Sequence, residues 1–174
     1  MRSSQTKDLQ RTLQESTDTV TQVLEMLTGE GIVADVVRRH PVTAEADNML
    51  GVPLGRPLIH RIALLRGAAS ARAYVYAEST FVPDRLPEEA QLQLAETGEP
   101  IGRVMVAHGF ALARRALPRL GHPDPPPAVL LGERAKEVIW ARAYLLVLND
   151  VPVFAIREWF FGSVLDSLDR TGPA

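Results

Sequence analysis

Apolar residues recur at helical spacing between Lys7 and Leu27, at Leu9, Leu13, Val20, Val23, Leu24 and Leu27. The polar run Ser16-Thr17-Asp18-Thr19 interrupts them, and such side chains accept hydrogen bonds from the free N–H groups of a first helical turn. The pattern predicts two helices, the second opening at Val20 and stopping at Gly29 and Gly31. Ile32 to Val42, Pro57 to Leu65 and Arg72 to Val82 are rich in β-branched residues and predict three successive strands, which favours antiparallel pairing. Pro83 to Pro87 predicts a turn, with a short helix behind it that has Pro at its first position, Glu88 and Glu89 in its first turn, and an end near Gly98. A short segment from Pro100 to Val106 and a strand from Phe110 to Ala116 follow, and then a Pro-rich loop at 117–127. Val138 to Leu148 and Val151 to Phe161, joined at Asn149-Asp150, predict a hairpin.

Helices first and then strands interrupted by one short helix define an α+β fold, a mainly antiparallel β-sheet covered by helices on one face. No internal repeat or linker divides the chain, so residues 1–174 are expected to form a single domain.

Two charges break the apolar pattern. Alternation puts Glu158 in a row with Phe154, Ile156 and Phe160, and burying an unpaired carboxylate there costs several kcal/mol or forces neutralisation. If the Asn149-Asp150 loop has two residues or four, parity places Ile139, Ala141, Ala143 and Leu145 beside it, so the two alanines leave space. The same parity puts Trp140, Arg142, Tyr144, Arg157 and Trp159 on the other face. Arg61 is the matching anomaly, sharing a face with Ile59, Ala63 and Leu65. Arg61 and Glu158 either pair directly or hold opposite ends of a small anionic ligand, and a structural ion pair or strand ends that reach water is the plainer alternative.

Composition removes other chemistries. The chain has 174 residues, 19 basic against 21 acidic side chains, and no cysteine. A net charge of −2 supplies no footprint for a phosphate backbone, so nucleic acid is not an expected partner. The missing cysteines exclude disulfides, thiolate nucleophiles and zinc knuckles, and fit a reducing cytoplasm. His40, His60, His108 and His122 are dispersed, without H-E-x-x-H, and are expected at the surface or in turns rather than on a metal. No G-x-S-x-G, P-loop or G-x-G-x-x-G occurs, and no apolar run is long enough to span a membrane.

The ordered set of segments resembles the chorismate pyruvate-lyase (4-hydroxybenzoate synthase) family, especially its actinobacterial branch. The likeness rests on Thr19-Val20-Thr21-Gln22-Val23-Leu24-Glu25, His60-Arg61-Ile62-Ala63-Leu64-Leu65, Ala77-Glu78-Ser79, Arg85-Leu86-Pro87, Pro100-Ile101-Gly102-Arg103-Val104, Arg142-Ala143-Tyr144, and Val151-Pro152-Val153 running to Glu158-Trp159-Phe160. It implies a single α+β domain and a cofactor-free lyase, without metal, that removes pyruvate from chorismate and leaves 4-hydroxybenzoate. By resemblance the family's ligand-holding arginine falls on Arg61 and its glutamate on Glu158, with main-chain contacts at Val20 and Ile101. Val20 then offers a helix N-terminus to an anion, and Ile101 an N–H fixed between Pro100 and Gly102.

The chain departs from the family pattern at Ala143, where a second basic residue is common, at Asn149-Asp150, where glycine is common, and in the length of the Pro-rich run. These departures keep two alternatives in view. One is a related enzyme acting on another intermediate in secondary metabolism. The other is a non-catalytic small-molecule-binding domain like the effector domains of transcription regulators, which normally follow a DNA-binding module.

Overall fold

A computed structural model describes residues 2–111, 113–117 and 127–168. Helices α1 (Arg2–Glu15) and α2 (Val20–Thr28) lead into strands β1 (Ile32–Thr43), β2 (Pro57–Gly67) and β3 (Ala73–Phe81). Helices α3 (Glu88–Glu96) and α4 (Ile101–Ala107), strand β4 (Ala113–Ala116) and the single turn α5 (Ala128–Leu131) follow, then β5 (Val138–Leu148), β6 (Val151–Phe161) and α6 (Ser163–Leu168). The strands form one six-stranded antiparallel sheet in the order β1-β2-β3-β6-β5-β4.

The local chemistry explains these boundaries. Thr19 caps α2 through a capping box with Gln22, and Gly29 ends the helix in the left-handed region at φ 69°. The β5–β6 turn puts both Asn149 and Asp150 at positive φ, the two-residue hairpin geometry these residue types tolerate. Expectations shift in three places. Pro100 to Val106 contains a helix, α4, behind Pro100. Pro87 is the cap of α3 rather than its first residue. The strand expected from Phe110 begins only at Ala113. The Pro-rich loop lies almost wholly outside the described residues, as does His122.

Helices cover one face of the sheet. Leu9 and Leu13 of α1, Val23 and Leu24 of α2, and Val164 and Leu165 of α6 pack on Ile32, Ala63, Leu65, Val75 and Phe160. Ala90 and Leu94 of α3 and Val104 and Met105 of α4 form a second cluster with Phe81, Tyr144, Leu146, Phe154 and Ile156. The candidate site lies between the two. On the opposite face, where Leu131 of α5 and the segment from Ala44 to Val52 pack, His60 is half-buried rather than at the surface, with Nδ1 3.0 Å from Thr80 Oγ1 and its ring edge-on to His40.

Beyond the end of α2, Glu30 latches the β2–β3 turn. Its carboxylate accepts hydrogen bonds from Ser70 Oγ and Tyr74 Oη, both at 2.6 Å, and from the N–H groups of Ala69 and Ser70. Burial works against the charged form, but these donors outweigh it and hold the carboxyl at about 2. A pKa depressed on folding contributes stability that is fully present above the unfolded value of 4.5 and is lost as pH falls towards 2. Thermal unfolding is therefore expected to show a steeper fall in Tm between pH 4.5 and 2 for the wild type than for Glu30→Gln.

Candidate active site

Cross-strand register builds the floor of the site. Arg61 of β2 stands opposite Ser79 of β3, which stands opposite Ile156 of β6, which stands opposite Tyr144 of β5. The next row on this face runs Ala63, Ala77, Glu158, Arg142. Arg61 and Glu158 thus share a face but are separated by β3, two strand spacings or roughly 10 Å apart across the sheet. Between them lie only Ala63, Ala77 and Ser79, and the space above these small residues is a cavity of about 420 Å³. Arg61, Glu158, Val20 and Ile101 all line it.

Glu158 is 2% exposed, and each of its oxygens accepts a hydrogen bond. Arg142 Nε donates to its Oε2 at 2.6 Å, and Tyr144 Oη donates to its Oε1 at 2.8 Å. Burial pulls the Arg142 guanidinium down, but the Glu158 charge and Tyr144 overcome this, so its pKa ends above the ordinary value and it remains a cation. Burial and then the Glu158 charge push the Tyr144 phenol up, which keeps it a donor. Arg142 also donates to the Leu13 carbonyl of α1 at 2.8 Å, and its guanidinium lies over the rings of Tyr144, Phe160 and Trp140.

This arrangement reverses the expected parity of β5. The hairpin loop has two residues, but the register shifts between Leu146 and Val147, so that Val147 faces Pro152 while Leu146 faces Phe154. Val153 is the extra residue of a β-bulge, and one extra residue exchanges the faces beyond it. Trp140, Arg142 and Tyr144 therefore join Glu158, while Ala141 and Ala143 turn away. Arg157 and Trp159 lie on the opposite face, as expected. Trp140, Arg142 and Tyr144 thus lie on the face opposite to the one that simple alternation predicts. The space beside Glu158 comes from Ala63 and Ala77, and Arg142 supplies a basic residue on this face although Ala143 does not.

Arg61 is 3% exposed, and no described carboxylate lies within ion-pair distance of it, Glu158 included. Its Nη2 donates to the Glu99 carbonyl at 2.8 Å, just before the cap of α4, and its Nε is buried without a hydrogen-bond partner. Burial, and secondarily Arg39 opposite it on β1, lower the guanidinium to about 10, so it stays charged at neutral pH. Val20 and Ile101 are the first residues of α2 and α4, where helical geometry leaves N–H groups free and the dipole is positive. The two helix starts touch: a Cβ built on Gly102 would lie 2.6 Å from Cβ and Cγ2 of Thr19. Arg114 of β4 braces the α1–α2 loop from the other side through the carbonyls of Ser16 and Asp18. One part of the cavity wall thus presents a cation and two helix N-termini, and across the floor stands a carboxylate.

The model of the Rv2949c-like chorismate pyruvate-lyase family matches residues 16–167, and the chain belongs to that family. It is 28% identical over 163 residues to a chorismate pyruvate-lyase of Mycobacterium tuberculosis (strain ATCC 25618 / H37Rv), covering 89% of this chain and 80% of the relative. It is 27% identical over 173 residues to a chorismate pyruvate-lyase of Mycobacterium leprae (strain TN), covering 92% and 77%. Among solved structures, the effector domain of PhnF from Mycobacterium smegmatis is similar, with a TM-score of 0.61 at 19% identity, covering 85% of this chain and 91% of that one. A GntR-family transcriptional regulator from Bacillus cereus has a TM-score of 0.51 at 11% identity, covering 76% and 92%. These structures share the α+β fold. No described helix is long and apolar enough to cross a membrane.

Two predictions follow from the packing of the site. Arg142→Leu leaves the buried Glu158 charge to Tyr144 alone and is expected to lower stability by about 3–5 kcal/mol in urea unfolding, most of it recovered in the Arg142→Met/Glu158→Gln double variant. Gly102→Ala forces the starts of α2 and α4 apart and is expected to cost about 1–3 kcal/mol in the same measurement.

Proposed function

We propose that the chain eliminates pyruvate from chorismate to leave 4-hydroxybenzoate, in the cavity between Arg61 and Glu158. One observation carries this reading. A buried cation without a carboxylate partner and a buried, doubly held carboxylate share one cavity, separated by a floor of small side chains. This suits a flat ring with an anionic group at one end and a hydroxyl at the other. Arg61, with the N–H groups of Val20 and Ile101, holds the ring carboxylate. Glu158, with one lone pair of each oxygen committed to Arg142 and Tyr144, accepts the hydrogen bond of the ring hydroxyl on a remaining one.

The reaction asks for little beyond this. The ring C–O bond to the enolpyruvyl group breaks, its electron pair leaves with the ether oxygen as the enolate of pyruvate, and a proton is lost from the neighbouring ring carbon that bears the hydroxyl. The C–H electron pair becomes the new π bond that completes an aromatic ring, and the enolate takes up one proton on its methylene carbon to become pyruvate. Aromatisation supplies the driving force, so the protein need only select the productive conformer, exclude water and stabilise charge on the departing oxygen. No cofactor enters this scheme. The names of the mycobacterial relatives support the same assignment.

Incubating the purified protein with chorismate is expected to yield 4-hydroxybenzoate and pyruvate in equal amounts, with turnover reduced by about 10²-fold or more in Arg61→Ala and in Glu158→Gln. Product no faster than the spontaneous rate rejects lyase activity on chorismate. Tight 4-hydroxybenzoate binding without turnover moves the assignment to a binding domain.

A further inference from the structure

Thr21 is 2% exposed, lines the cavity, and has a hydroxyl that is buried without a hydrogen-bond partner. Threonines elsewhere in these helices avoid that state: Thr12 Oγ1 donates to the Asp8 carbonyl at 2.9 Å and Thr28 Oγ1 to the Leu24 carbonyl at 2.8 Å, each four residues back. Thr21 is the second residue of α2, so the residue four positions before it, Thr17, precedes the helix and offers no helical carbonyl.

The backbone around it is left over in the same way. Of the four N–H groups that open α2, that of Thr19 is taken by Gln22 Oε1 and that of Gln22 by Thr19 Oγ1. The capping box therefore leaves the N–H groups of Val20 and Thr21. A helix N-terminus of this kind attracts an anion, and the orphaned hydroxyl on its first turn, with the orphaned Arg61 Nε lining the same cavity, is an independent sign of a ligand.

We propose that Thr21 is a substrate-binding residue whose hydroxyl donates to the ring carboxylate, completing the cradle formed by Arg61 and the first turn of α2. The assignment rests on the chorismate reading above and adds a side chain to it. It has a consequence that a structural threonine would not have. Replacing a buried, unsatisfied hydroxyl by a methyl group removes a desolvation cost in the free protein and a hydrogen bond in the complex, so stability and affinity move in opposite directions.

The test is calorimetric titration of the whole chain with 4-hydroxybenzoate and with benzoate, alongside thermal unfolding of the unliganded protein, for wild type, Thr21→Val and Thr21→Ser. Thr21→Val is expected to raise Kd for both ligands about tenfold or more without lowering Tm, and Thr21→Ser to restore most of the affinity. Unchanged affinity in Thr21→Val overturns the role of Thr21 while leaving the chorismate reading intact. Weakened 4-hydroxybenzoate binding with benzoate unaffected overturns it too, because the hydroxyl then serves the phenolic end. Should Thr21→Val fail to fold, Thr21→Ala is judged by the same two affinities. A wild type that binds neither ligand removes the chorismate reading and this inference with it.

Discussion

The site depends on two buried opposite charges that are kept from pairing. Arg61 and Glu158 lie on the same sheet face, yet β3 stands between their strands. Had they been on adjacent strands, mutual neutralisation would have closed the space between them. Glu158 is compensated instead by Arg142 and Tyr144 from β5, on the side away from Arg61. Arg61 is met by the Glu99 carbonyl, while the two helix starts that line the same cavity add to its positive potential instead of cancelling it. The separation is thus written into strand order, and it leaves a fixed electrical polarity across a cavity of low dielectric, where each charge acts more strongly than it would in water.

Alternation along single strands was enough to find both charges, because each stands in a row whose other members are apolar: Ile59, Ala63 and Leu65 around Arg61, and Phe154, Ile156 and Phe160 around Glu158. It failed one strand away. Register between β5 and β6 depends on a bulge at Val153, and that bulge is stabilised by tertiary packing, since Val153 and Phe154 both enter the cluster under α3 and α4. No local rule counts such a residue. A signal did exist within β5, where Trp140, Arg142, Tyr144 and Leu146 alternate with Ala141, Ala143 and Leu145. Reading the large residues as the core-facing set would have brought two donors to the carboxylate that needed them. Thr21 leaves no such trace in the sequence, because an orphaned hydroxyl can be recognised only when the surrounding acceptors are located.

Fold alone separates nothing here. An enzyme family and the effector domains of transcriptional regulators share this sheet and its helices, so the likeness to PhnF at 19% identity speaks to architecture and not to chemistry. What distinguishes a site for elimination from one for sensing is whether the ligand is held in a reactive conformer and shielded from water. The cavity walls that bear on this are α2, α4 and Phe110 above the sheet, with Arg114 reaching in from the edge strand β4.

Where those upper elements meet the sheet, unsatisfied groups line the cavity, Thr21 Oγ1 of α2 and Arg61 Nε of β2. Arg61 Nε and Thr21 Oγ1 are buried donors without acceptors, and each such group costs stability until an acceptor arrives. The cost is carried by the two apolar clusters on either side, which anchor α1, α2 and α6 at one end and α3 and α4 at the other without placing a large side chain on the floor between them. Position is then set by short, stiff devices: the capping box at Thr19, the contact of Gly102 with Thr19, and the Arg114 brace to the α1–α2 loop. A cavity lined with uncompensated donors would collapse or hydrate if the helix starts could move. Fixing them by packing, rather than by hydrogen bonds to one another, keeps the donors available for an anion.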